Sequence, residues 1–163
     1  MGRGRIASQL VLAAVLAATV GCDRVTKRMA TETLAGSPAR SLLGDTVRLG
    51  YAENTGGFLG LGAGLPPTGR TAVFVVSTAA MLGLAALAVF RQRVRGVALL
   101  GATFFIAGGA SNWIDRVLHG HVVDFLNVGV GPVRTGIFNV ADVAIMCGLA
   151  LVLVPRAADT LDD

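Results

Sequence analysis

The chain has 163 residues and a mass of 16.6 kDa, the length of one domain. Apolar residues make up 53% and charged residues 15%, and mean hydropathy is +0.68, which excludes a disordered chain and an ordinary soluble one and implies a membrane protein. The net charge of +4 comes from arginines scattered between apolar runs rather than clustered on a soluble face, so nucleic acid is not an expected partner.

Four apolar stretches approach the roughly 20 residues that a bilayer core requires. The first is Ile6–Cys22. Preceded by Arg3 and Arg5 and closed by Thr19-Val20-Gly21-Cys22, it has the outline of a bacterial lipoprotein signal peptide. Thr19 stands where that pattern wants a large aliphatic residue, and three more apolar runs follow, so a permanent span with Cys22 as a packed thiol is expected. Asp23, Thr26 and Lys27 come next with i, i+3, i+4 spacing, on one helical face, where Asp23 and Lys27 can form an ion pair or a cap.

In the segment 23–70, Thr46–Tyr51 alternates with Val47, Leu49 and Tyr51 on one face, which predicts a strand, and Glu53–Gly57 supplies turn chemistry. A small sheet outside the cytoplasm is expected here, too small to fold without the helices. The second span is Thr71–Phe90 and the third Val97–Ile114. The connection 91–96 carries Arg91, Arg93 and Arg95 and can only be a tight helix hairpin. Its density of arginine, together with Arg3 and Arg5, puts both termini and this loop in the cytoplasm, and residues 23–70 and 115–136 outside.

Gly108 and Gly109 predict close helix contact in the third span. Asn112, Asp115 and Arg116 repeat the i, i+3, i+4 spacing at its outer end, with Asn112 expected to bridge helices and Asp115 to pair with Arg116 and cap the span. His119 and His121 lack a third ligand nearby in sequence, so no metal site is expected. The apolar run His121–Leu126, containing Asp124, is expected to dip back into the interface. The fourth span, Ile137–Val154, holds Asn139 and Asp142 in its first turns and Cys147, a second packing thiol, in its middle.

Polar groups near membrane depth are costly and mark function by default. Asp124 and Asp142 stand apart because neither has a lysine or arginine within four positions and both sit among apolar neighbours. Two such carboxylates brought together would share a proton, which is the chemistry of an aspartic peptidase: one takes a proton from water while the other donates to the scissile carbonyl. On spacing alone, a proton relay in a small four-span transporter or channel is equally served by these residues.

Four blocks in this order resemble the bacterial lipoprotein signal peptidases, or signal peptidase II. They are Asp23-Arg24-Val25-Thr26-Lys27, Asn54-Thr55-Gly56-Gly57-Phe58, Gly109–Arg116 running on to Gly120–Phe125, and Phe138-Asn139-Val140-Ala141-Asp142. The resemblance implies an all-α polytopic membrane protein, a four-helix bundle with a small extracytoplasmic β-cradle between spans one and two. It places the two catalytic aspartates on Asp124 and Asp142. Asp23, Lys27, Asn54, Gly56, Asn112, Asp115, Arg116 and Asn139 then shape the active site or hold substrate. It further implies cleavage of prolipoproteins on the amino side of a diacylglyceryl-cysteine, with no metal or organic cofactor. The expected setting is the bacterial inner membrane, with lipid and prolipoproteins as partners and the enzyme a monomer. The chain departs from the family's usual residues at Arg24 (Gln), Ser111 (Gly) and His121 (Tyr), and its 54–58 loop is one residue shorter.

Overall fold

The structure, a computed structural model, describes residues 2–56, 66–91 and 94–153. Four helices and four strands follow in the order α1 (Gly2–Leu34), β1 (Arg40–Leu42), β2 (Val47–Asn54), α2 (Pro67–Phe90), α3 (Gly96–His119), β3 (Val122–Val130), β4 (Val133–Arg134) and α4 (Val140–Leu153). The stretches Gln9–Leu34, Ala72–Phe90 and Gly96–His119 are long and apolar enough to cross a membrane; α4, as far as it is described, has 14 residues and is shorter. Val154, expected to end the fourth span, lies outside the described residues, as does Arg93 of the basic hairpin.

Helix α1 does not end at Cys22. Its inward stripe of Thr19, Asp23 and Lys27 continues through Ala30 and Leu34, all buried, so apolar spacing carries the helix twelve residues further. Likewise α3 runs on past Ile114 to His119, where Gly120 takes the left-handed conformation (φ 77°) and its N–H donates to the Arg116 carbonyl. Helix α2 opens on Pro67, whose missing N–H costs nothing in a first turn. Helix α4 begins at Val140 rather than Ile137, because Phe138 is drawn into a bridge with Leu126 of β3.

Helices α3 and α4 meet backbone to backbone. A Cβ on Gly101 would lie 2.7 Å from the Gly148 carbonyl oxygen, and one on Gly148 would lie 2.6 Å from that of Gly101. A Cβ on Gly108 would overlap the Ala141 carbonyl, while Gly109 accommodates Leu82 of α2. The two adjacent glycines thus serve two different helices, and the Trp113 indole N–H fastens α2 by donating to the Val75 carbonyl at 3.0 Å.

The strands form one antiparallel sheet in the order β1-β2-β3-β4. Half of it comes from the segment between α3 and α4, so the sheet is not confined to the first outer segment. The run expected to dip into the interface, His121–Leu126, supplies the first part of its longest strand, β3. Leu49 pairs with Leu126, but Ala52 pairs with Asp124, so β2 carries one extra residue as a bulge. Beyond it Asn54 pairs with Val122, which sets Asn54 diagonal to Asp124 on one face of the sheet. Leu49, Tyr51, Val123 and Leu126 pack on the buried Ala30, Leu34 and Phe125, seating the sheet on the end of α1.

Candidate active site

Spacing on α1 brings Asp23 and Lys27 together four residues apart, and both are buried. The Lys27 ammonium has three protons and three partners: Asp23 Oδ2 at 2.6 Å, Asp115 Oδ2 at 2.7 Å and Asn112 Oδ1 at 2.7 Å. Asp23 Oδ2 also accepts from the Ser111 hydroxyl (2.7 Å), and Oδ1 accepts from the Ala141 N–H (2.9 Å), so this one carboxylate ties α1 to α3 and to the first turn of α4. An acid there also faces the positive end of the α4 dipole. Ser111 belongs to this network although the family motif does not single it out; its i, i+4 spacing to Asp115 is the signal that it shares the buried face.

The expected Asp115–Arg116 pair does not form. Consecutive helical residues point about 100° apart and cannot face each other. Asp115 turns to Lys27 and to Arg24, at 2.9 Å, and lies inside α3 rather than capping it. Arg116 instead donates to the Gly56 carbonyl through Nε (3.2 Å) and Nη2 (2.7 Å), and to the Asn112 carbonyl through Nη1 (3.3 Å). Asn54 Oδ1 closes the same turn by accepting from the Gly56 N–H at 3.0 Å. Gly57 and Phe58 lie outside the described residues.

Asn139 caps α4. Its Oδ1 accepts from the Asp142 N–H (3.0 Å) while Asp142 Oδ2 accepts from the Asn139 N–H (3.2 Å), the reciprocal geometry of a capping box. Because Oδ1 is committed to the backbone, the amide nitrogen must point the other way. It donates to Asp124 Oδ1 at 2.6 Å and to Asn112 Oδ1 at 3.3 Å. Asn112 Nδ2 donates to Asp142 Oδ1 (2.9 Å) and Asn54 Nδ2 to Asp124 Oδ2 (2.9 Å), so every oxygen of the two carboxylates meets an N–H. Burial pushes the Asp124 carboxyl above the usual range, opposed by the hydrogen bonds from Asn54 and Asn139 and by the charges of Lys27 and Arg116.

Asp142 opens onto two cavities. One, of about 350 Å³, is lined by Phe138, Val143, Met146 and Cys147; the other, of about 290 Å³, lies among Phe74, Met81, Phe105 and Ile145, with Asn112 and Arg116 at its polar end. Each combines an apolar wall with a few converging polar groups, as ligand sites do. Cys22 and Cys147 are free and exposed rather than packed, since Cys22 lies one position, about 100°, off the buried stripe of α1. Among the described residues no group of three His, Cys, Asp or Glu side chains could hold a metal ion.

The sequence profile described as Signal peptidase (SPase) II matches residues 15–156. Curated proteins named lipoprotein signal peptidase are similar along most of the chain. That of Syntrophomonas wolfei is 37% identical over 134 residues, 81% of this chain and 83% of its own length. That of Mycobacterium leprae is 32% identical over 151 residues, 88% of this chain and 70% of its own. A solved bacterial membrane enzyme shares the fold with a TM-score of 0.83 at 23% identity, over 94% of this chain and 91% of that one. By profile and by relatives alike, the chain belongs to the signal peptidase II family of membrane peptidases.

Proposed function

We propose that this peptidase removes signal peptides from prolipoproteins, cutting on the amino side of the diacylglyceryl-cysteine, with Asp124 and Asp142 as an aspartic dyad. The observation that carries the reading is the double engagement of Asn139. One side chain orients Asp124 through its amide and Asp142 through the cap, beside two apolar cavities. The dyad holds one proton between its two carboxyls. The unprotonated member takes a proton from water as the oxygen attacks the scissile carbonyl carbon, and the protonated member donates to the carbonyl oxygen. Collapse of the tetrahedral intermediate breaks the C–N bond: the proton gained from water passes to the departing amine, and a hydroxyl of the intermediate returns a proton to the carboxylate that had donated, which restores the dyad. No metal or organic cofactor enters these steps.

Asp23, Lys27 and Asp115 position α4 against α3, and Asn112 and Asn139 hold the carboxylates. Asn54, Gly56 and Arg116 form the wall that receives the substrate backbone. The chain acts as a monomeric single domain with four spans. Asn112 and Arg116 lie at the opposite end of α3 from Arg95, a helix about 36 Å long at 1.5 Å per residue. The positive-inside rule then puts the hairpin and both termini in the cytoplasm and the site toward the outer face of the bacterial inner membrane.

The substrate's acyl chains favour the apolar cavities by about 0.8 kcal/mol per buried CH₂. Purified protein is expected to cut a precursor bearing the diacylglyceryl group, without ATP, ion gradient or metal, and to leave the unlipidated precursor intact. Equal turnover of both would contradict the assignment.

A further inference from the structure

A third cavity, of about 440 Å³, touches neither aspartate of the dyad. It lies where the last turn of α3 meets the sheet, and Arg24, Lys27, Arg28, Tyr51, Asp115, His119 and His121 line it. Arg24 and Arg28 are one turn apart on α1.

Donors outnumber acceptors around it. Both Asp115 oxygens are taken, by Arg24 and Lys27; Glu32 Oε1 accepts from Arg28 Nε at 2.7 Å, and Glu53 Oε1 accepts from the Tyr51 hydroxyl at 2.9 Å, with His121 Nε2 at 3.8 Å. Each nearby carboxylate is thus engaged through at least one oxygen, and Asp115 through both. A guanidinium carries five N–H donors. Among the described residues Arg24 makes one ion pair, to Asp115, and Arg28 makes one, to Glu32, which leaves two forks with unused donors. The His119 ring adds another, 6.1 Å from that of His121.

A surplus of planar guanidinium donors suits a phosphate oxyanion, which Arg engages through paired N–H groups. The cavity lies at the sheet end of α1 and α3, two of the helices long and apolar enough to cross a membrane, and the polar ends of such helices meet lipid headgroups. From this juxtaposition we infer that the cavity between the end of α3, α1 and the sheet binds the phosphodiester headgroup of an anionic phospholipid. The site is distinct from the dyad, and the inference does not depend on what the two aspartates do.

The full chain in detergent is titrated with phosphatidylglycerol, with diacylglycerol of the same acyl chains, and with inorganic phosphate, and bound species are counted by native mass spectrometry. Phosphatidylglycerol is expected to bind at least about tenfold more tightly than diacylglycerol, and Arg24→Gln/Arg28→Gln to abolish that preference. Arg28→Gln alone, at an exposed side chain whose ion-pair partner is Glu32, leaves the buried network untouched and is expected to weaken phosphatidylglycerol several-fold with an unchanged circular dichroism spectrum. Equal binding of the two lipids, or full phosphatidylglycerol binding in both variants, would overturn the inference. Inorganic phosphate binding as tightly as the lipid would overturn the headgroup assignment.

Discussion

Replacing Asn139 separates its two tasks, because different atoms perform them. Asn139→Ala removes the cap on the Asp142 N–H, worth about 1 kcal/mol, and the charge-assisted donor to Asp124 Oδ1, worth about 1.5–3 kcal/mol. The two terms share a side chain and are not strictly additive, so a loss of about 2–4 kcal/mol in stability is expected. Asn139→Ser keeps a good cap but is too short to reach Asp124, and should recover about 1 kcal/mol of that loss. If Asp124 must be oriented for catalysis, the serine variant should still cut slowly. Forfeiting about 1.5–3 kcal/mol of positioning corresponds to roughly 10- to 150-fold in rate. Thermal unfolding in detergent and single-turnover cleavage of a lipidated precursor read the two effects separately. Wild-type cleavage by a folded Asn139→Ser protein would refute the reasoning, since the amide contact to Asp124 would then be dispensable.

Lys27→Met keeps the buried stem but leaves Asp23 without its cation and Asp115 with Arg24 alone, so unfolding should become easier by about 3–5 kcal/mol; adding Asp23→Asn should return part of it, and a near-neutral Lys27→Met on thermal unfolding would contradict the buried network. Gly108→Val forces a side chain into the Ala141 carbonyl and should cost about 1–3 kcal/mol, while the same change at Gly21, where a Cβ meets nothing within 4 Å, should be tolerated. Asp23→Asn keeps shape but weakens the hold on the Ala141 N–H and on Lys27, and should slow single-turnover cleavage while phospholipid retention is unchanged.

Hydropathy suffices to find the apolar runs of α1, α2 and α3, which are long and apolar enough to cross a membrane, while α4 as described is shorter and carries Asp142. Their ends are harder to place. Asp23 and Lys27 read as the polar end of the first helix, yet they neutralise each other inside α1, and the apolar spacing simply resumes at Ala30 and Leu34. Ile137 and Phe138 look like span, but Phe138 is spent on pairing with Leu126. Strand β3 has no clean alternation, since Val122, Asp124 and Phe125 are buried while Val123 and Leu126 are partly so, and a run apolar on both faces reads equally as interface. The polar residues are each legible as costly and therefore suspect, but their pairings are not: adjacency suggests Asp115 with Arg116, whereas the fold joins Asp115 to Lys27 across 88 positions. The bulge in β2 that brings Asn54 to Asp124 falls at Gly50 and Tyr51, and a glycine inside a strand pattern is a signal of it, though not of the partner it aligns.

The central claim is that Asp124 and Asp142 perform the chemistry together. Asp124→Asn and Asp142→Asn preserve shape but cannot exchange the proton, so each should abolish single-turnover cleavage of a lipidated precursor while the purified protein stays folded, and the double variant should be no worse than either single one. Cleavage within about tenfold of wild type in either variant, equivalent to about 1.4 kcal/mol of barrier, would remove that aspartate from the mechanism.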